Sequence, residues 1–211
     1  MAKRGRPTAT ERAERRERIL DAAVAQFSAR GFGATTLDEV AAASGVTKRT
    51  LYVDVGDKAA LFAAAVEREH DRIQMAATDA GTLIDVATEM VLVLHSDSAV
   101  ALHRSIIAEA PRFPEVAREF YSAGPQHSID LLARHLPGRR DAPGRAASLP
   151  SAAALYSLLL GEPHRRRLLA LDPAPSRSQA RAHALAATTL LALPLGGTSR
   201  SAPPSPPSPG T

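Results

Sequence analysis

The sequence predicts an all-α protein: an N-terminal three-helix unit of helix-turn-helix type, followed by a C-terminal helical bundle. Ala and Leu dominate an apolar content of 45% while aromatic residues make up only 4%, a balance that favours helices over strands. Apolar residues recur at three- and four-residue spacing along most of the 211-residue chain. Ser, Thr or Asp stands just ahead of several of these runs and Gly or Pro just behind, as helix starts and stops require.

Residues 1–10 read as a flexible basic arm. A first helix is expected from Glu11 to Arg30, because Ile19, Ala22, Ala23 and Phe27 share one face while Arg15, Arg16, Arg18 and Gln26 fall elsewhere; Gly31 then supplies its stop. Thr36-Leu37-Asp38-Glu39 is a capping box that opens a short second helix, with Leu37, Val40 and Ala41 inward and Ser44-Gly45 as its end. Thr47 caps a third helix carrying Lys48, Arg49, Thr50, Leu51 and Tyr52 and ending near Gly56. Asp57 caps a fourth that starts at Lys58 and buries Leu61, Phe62, Ala65 and Val66.

Beyond that point Gly, Pro and Ser punctuate further helices. The segment Ile84 to Leu94 is apolar nearly all round, as a central buried helix is. Val100 to Ala110 follows, and Pro111 and Pro114 mark a break. Glu115 to Leu136 is one helix interrupted by Gly124-Pro125, or two that abut there. A loop is expected over Pro137 to Pro150, and Ala152 to Leu171 and Arg177 to Leu193 form the last pair. Residues 194–211 are Gly, Ser and Pro, a composition that buries too little to order itself, and are expected as a disordered tail. The expected division is thus an N-terminal helix-turn-helix unit over 11–56, its pattern running on into helix four to about 68, and a larger helical unit over 57–193.

Composition narrows the function. Cys is absent, which removes disulfides and thiolate metal sites. The start of the chain runs straight into charged residues rather than a secretory signal, and no window approaches the roughly 18 apolar residues of a membrane span, so a soluble cytoplasmic protein with no membrane partner is expected. A net charge of +4 is a mild hint of a polyanionic partner, and its distribution is sharper: Lys3 to Arg18 holds seven basic residues against three acids.

Two short helices joined by a tight turn at Gly45 and packed on a longer first helix have the layout of a helix-turn-helix. The third helix gathers Thr47, Lys48, Arg49, Thr50 and Tyr52 opposite an apolar face of Val46, Leu51 and Val55. Lys and Arg donate to guanine edges or phosphates, hydroxyls donate to phosphates, and a Tyr ring lies along the backbone or a thymine methyl.

These segments carry a specific resemblance. Arg18-Ile-Leu-Asp-Ala-Ala-Val-Ala-Gln-Phe27, Gly31-Phe-Gly-Ala-Thr-Thr36, Val40-Ala-Ala-Ala-Ser-Gly-Val-Thr-Lys-Arg-Thr-Leu-Tyr52 and Asp57-Lys58 with Leu61-Phe62 resemble the DNA-binding domain of the TetR family over roughly residues 12 to 68. The resemblance implies a homodimer on a double-stranded, pseudo-palindromic DNA operator, with phosphate contacts from Thr36, Tyr52 and the Lys58 amine. Lys3, Arg4 and Arg6 resemble the basic arm that some members lay near DNA, although the same run also serves as a solubilising flank. Val55 stands where the family usually has an aromatic residue, and Asp54 where a His or Tyr often faces phosphate. Asp54 either repels a phosphate or turns away, towards Arg49, Lys58 or the N–H groups that open helix four. Ile107-Ala-Glu-Ala-Pro-Arg-Phe-Pro-Glu-Val116, with Phe120-Tyr121 and Gly124-Pro125, resembles the AefR-like subgroup of C-terminal domains in that family.

A repressor released by an unidentified small molecule is the mechanism implied. Leu102, His103, Ile106, Phe113, Phe120 and Tyr121 are candidates for the lining of its effector site, favouring a hydrophobic or amphipathic molecule; equally, the aromatic ones are ordinary core. Dimer contacts are expected from Leu155, Leu158 and Leu159 and from the stripe Ala182, Leu185, Ala186, Thr189, Leu190 and Leu193. His103, His127 and His135 lack a metal-ligand spacing, and the run Arg165 to Arg167 reads as a solvated helix end. An enzyme or a helical adaptor is the alternative class, but there is no phosphate loop or nucleophile elbow, and no catalytic residue or cofactor is expected.

Overall fold

The computed structural model describes residues 8–136 and 145–191, and among them every regular element is helical. Lys3, Arg4 and Arg6, Leu193, the 194–211 tail and most of the expected 137–150 loop lie outside the described residues.

Thr8 opens α1 (Ala9–Ala34) through a capping box with Glu11, so the helix starts earlier than Glu11. The expected stop at Gly31 is a kink instead: φ is +78° there, and a further turn follows. That turn carries Phe32 inward, where its ring centroid lies 5.8 Å from that of Phe27 and 5.5 Å from that of Phe62. Burying the ring draws the chain past the glycine.

The caps of α2 (Leu37–Ser44), α3 (Lys48–Asp54) and α4 (Lys58–Ala80) are those the sequence predicts. The Thr36 hydroxyl accepts from the Glu39 N–H, Thr47 from Thr50 and Asp57 from Ala60. Gly45 is left-handed, with φ +69°, and its N–H satisfies the last carbonyls of α2.

The remaining helices are α5 (Leu83–Leu94), α6 (Asp97–Glu109), α7 (Pro114–Tyr121), α8 (His127–His135), α9 (Arg145–Leu168) and α10 (Arg177–Leu190). Between α7 and α8 the chain does not break at Gly124-Pro125; it continues as a π-helical turn over Ser122–Gln126. Gly124 lets that turn sit close to α4, where a Cβ would lie 3.2 Å from both the Val66 and His70 side chains and press on them. The expected loop ends early, since α9 already runs from Arg145 and takes in Pro150.

Two cores result. One joins α1, α2 and α3 to the first half of α4 and to Leu102, Ile106 and Val116 of α6 and α7. The other packs α5, α8, α9 and α10 around Met90, Leu132, Leu155 and Leu159.

Helix α9 kinks at Gly161, with φ +51°, just ahead of Pro163. Proline has no N–H, so the Leu159 carbonyl loses its partner four residues on. Nε2 of His95 and Nε2 of His183 each donate to that carbonyl at 3.0 Å, which requires a proton on Nε2 of each ring. Burial pushes His95 down to about 4, so it is neutral here. Arg165 and Arg166 are solvent-facing as expected, but Arg167 is not a solvated helix end. It is buried, donating to the carbonyls of His95 and Asp172 and pairing with Asp97.

Candidate functional site

Helix α3 presents the donor cluster outward. Leu51 is fully buried and anchors it, while Thr47, Lys48, Arg49, Tyr52 and Val53 are exposed and Thr50 is half-buried. The Thr47 and Thr50 hydroxyls lie 2.8 Å apart at the helix start, and Lys48 pairs with Asp38 of α2 at 2.8 Å. Thr36 is exposed at the start of α2, where Arg30 and the Thr36 groups hold Glu39 below the usual carboxylate range, the Thr36 hydroxyl foremost. Val53 is a groove-facing candidate the sequence reading missed. Its spacing of four from Arg49 was the available signal.

Asp54 turns away from the exposed face, but to none of the partners weighed for it. Its carboxylate takes two hydrogen bonds from Arg15 of α1, at 2.6 and 3.1 Å, and its carbonyl takes one from Arg16 at 3.2 Å. The acid thus fastens the end of α3 to α1.

Lys58 also turns inward. Its ammonium donates to the carbonyls of Phe32, Gly33 and Thr35 at 2.8, 3.1 and 3.0 Å, which uses all three N–H bonds. Burial lowers its pKa, with Glu109 opposing. The amine expected to meet phosphate here caps the end of α1. From the other side, Ser105 Oγ accepts from the Phe32 N–H at 2.9 Å and Glu109 Oε1 from the Gly33 N–H at 3.1 Å. Helices α4 and α6 together hold the segment that leads into α2.

A cavity of about 40 Å³ lies between α4, α6, α7 and α9. Of the residues expected to line it, Leu102, His103 and Phe120 do so. Ile106 and Phe113 do not: Ile106 is buried in the N-terminal core and Phe113 packs edge-on against Phe32 with centroids 5.2 Å apart. Tyr121 is excluded too, being more than half exposed on the outer face of α7. The sequence reading missed Glu69, His70, Tyr156 and His164, which α4 and α9 bring to the same walls. Nδ1 of His103 lies 3.0 Å from Nε2 of His164, and burial pushes both rings down, His164 to about 3. His70 bonds Ser128 at 2.8 Å. No cluster suited to a metal ion occurs among the described residues.

On α10, Ala180, Ala184, Ala187 and Thr188 face the core, leaving Ala182, Leu185, Ala186, Thr189 and Leu190 in an exposed stripe. Leu158 of α9 is half-buried, but Leu155 and Leu159 are fully buried in the chain's own core. Those two are corrected from interface to core, because the face of α9 that carries them packs on α5 and α8.

Residues 19–65 match the family described as bacterial regulatory proteins, tetR family, and residues 81–193 match the AefR-like transcriptional repressor C-terminal domain. A 68-residue stretch is 40% identical to the HTH-type transcriptional regulator AcrR of Shigella flexneri; it is 32% of either chain, so the match spans about a third of that relative. A structure from Mesorhizobium loti, described as a TetR-family transcriptional regulator, is 25% identical and superposes with a TM-score of 0.66 over 88% of this chain and 97% of the other. The flavonoid-responsive regulator FrrA is 30% identical, with a TM-score of 0.60 over 85% and 95%. No described helix is long and apolar enough to cross a membrane.

Proposed function

This chain belongs to the TetR family of DNA-binding transcription regulators, which are not enzymes, and on that premise we propose that it is a homodimeric repressor released from its operator by a small molecule. The observation that carries the proposal is the outward face of α3, where Thr47, Lys48, Arg49 and Tyr52 surround a helix pinned by buried Leu51. In this reading two such helices enter successive major grooves about 34 Å apart, read base edges through Lys48 or Arg49, and take phosphate through Thr36, Thr47, Thr50 and Tyr52. In the same reading Lys3, Arg4 and Arg6 add sequence-independent contacts to phosphates. The protein acts in the cytoplasm, where its operator is.

The dimer forms through α10, whose exposed apolar stripe packs against its copy with Leu158 of α9 beside it. The effector enters the cavity walled by Leu102, His103 and Phe120. Only about 40 Å³ is open there, roughly three waters' worth, so any larger molecule parts α6 from α4 and α9 as it enters. The residues Ser105 and Glu109, which hold the end of α1, follow Leu102 and His103 on the same helix, and displacing them moves the DNA-reading unit. The effector need only prefer the displaced conformer to shift the population. That FrrA is flavonoid-responsive supports an effector-responsive reading of this chain.

Sequencing the genomic fragments retained by the purified protein tests the proposal. Recovery of a pseudo-palindromic site near the protein's own gene is expected, and retention without sequence preference would refute it.

A further inference from the structure

We infer that Arg49 and Val53 are the pair that reads base edges, Arg49 taking a guanine and Val53 the C5-methyl of a thymine within two base pairs of it. The inference rests on α3 being the helix that enters the groove, and it names what that helix selects.

The direction of each side chain follows from helical geometry. With the fully buried Leu51 marking the inward pole, Arg49 lies about 160° round the helix from it and Val53 about 200°. Thr50 and Tyr52 stand about 100° to either side, and Lys48 only about 60° off. Arg49 and Val53 therefore straddle the outermost line of α3. Exposure agrees, since Val53 is 78% exposed against 48% for Tyr52, and Arg49 is exposed beside it.

Neither side chain is engaged elsewhere. Lys48 is held to Asp38 of α2 at 2.8 Å, whereas Arg49 has no ion pair or hydrogen bond from its side chain among the described residues. Val46 and Val55 pack against the N-terminal core, and Val53 does not. The fold thus leaves one cation and one branched apolar group side by side on the outermost line of the helix.

Their chemistry divides the reading. A guanidinium offers parallel N–H donors that match O6 and N7 of guanine. Valine has no donor or acceptor, and the one apolar group that base pairs show in the major groove is the thymine methyl. Covering both from water is favourable. Four residues span about 6 Å of helix, and base pairs stack about 3.4 Å apart, so the two contacts fall within two base pairs.

Selection from randomised duplex DNA by the full-length protein, by Val53→Ala and by Arg49→Ala tests the inference, followed by uracil substitution at each thymine of the selected duplex. The unaltered protein is expected to select half-sites with guanine and thymine within two base pairs. Val53→Ala should keep the guanine and lose the thymine, and Arg49→Ala should do the reverse. Uracil lacks only the methyl of thymine; at the Val53 contact it should weaken the unaltered protein about fourfold per half-site and leave Val53→Ala unmoved. A merely structural role for Val53 would lower Tm and weaken thymine and uracil duplexes equally. That result, a uracil scan without effect, or a guanine preference that survives Arg49→Ala would overturn the inference and leave the protein a sequence-specific DNA binder. Selection without any sequence preference would refute the proposed function, and the inference with it.

Discussion

Gly33→Ala is the most direct perturbation of the link between α6 and the DNA-reading unit. A Cβ on residue 33 would stand 2.7 Å from Glu109 Oε1 and 3.1 Å from its Cδ. Those atoms end a flexible side chain, so Glu109 swings aside rather than forcing the backbone apart. What is lost is the 3.1 Å hydrogen bond from the Gly33 N–H to the carboxylate. Such a bond to a charged acceptor contributes about 1.5–3 kcal/mol, and Ala in place of helical Gly returns up to about 1 kcal/mol. The expected net loss is therefore about 0.5–3 kcal/mol. For a chain of this length that is a fall in Tm of about 1–12 °C, measured at fixed protein concentration because dimerisation contributes to apparent stability. Glu109→Ala removes the same bond, so adding it to Gly33→Ala should cost little more. If the two losses simply add, the bond is not what joins the helices. In the operator assay the Gly33→Ala protein should still bind DNA and need more effector for release, since the displacement of α6 is no longer passed on. An unchanged release midpoint together with additive losses would refute the reasoning.

The other expectations follow from the same geometry. Asp54→Asn should lower Tm and weaken binding to operator and random DNA alike, because Arg15 loses a bidentate partner; a uniform gain in affinity at low salt would instead mean that the carboxylate faces phosphate. Lys58→Ala should lower Tm while leaving the salt dependence of operator binding unaltered, since its three donors serve the end of α1; a salt slope lower by about one per subunit would restore the phosphate role. Leu185→Glu with Leu190→Glu should yield monomers that no longer grip operator, and a double variant that sediments as a dimer would move the interface elsewhere. His95, at about 4 when folded and 6.5 when unfolded, contributes stability that is complete above pH 6.5 and lost as pH falls towards 4. That window is worth about 3 kcal/mol, and a urea midpoint that stays level from pH 7 to 4.5 would contradict it.

What the sequence determined by itself was the local capping of the helix-turn-helix, although the Thr8–Glu11 box and the turn beyond Gly31, equally local, were not read. The Thr36 and Glu39 capping box, the left-handed Gly45, the Thr47 and Asp57 caps and the inward Leu51 were all legible, because each partner lies within four residues of the other. Together they were enough to mark out the helix-turn-helix and its outward donors. Tertiary structure decided the pairings whose partners are far apart in the chain. Asp54 meets Arg15 across 39 positions, and Lys58 reaches carbonyls 23 to 26 positions back. Leu155, Leu159, Leu185 and Leu190 are alike as residues; only packing against α5 and α8 makes the first two core and leaves the last two outside. The cavity is the clearest case. Glu69 and His164 belong to helices almost a hundred positions apart, and neither carries a local signal that both will line one cavity. Helical periodicity states which face of a helix is apolar, but which neighbour covers that face, and which polar atoms are trapped beneath it, is fixed only when the helices meet.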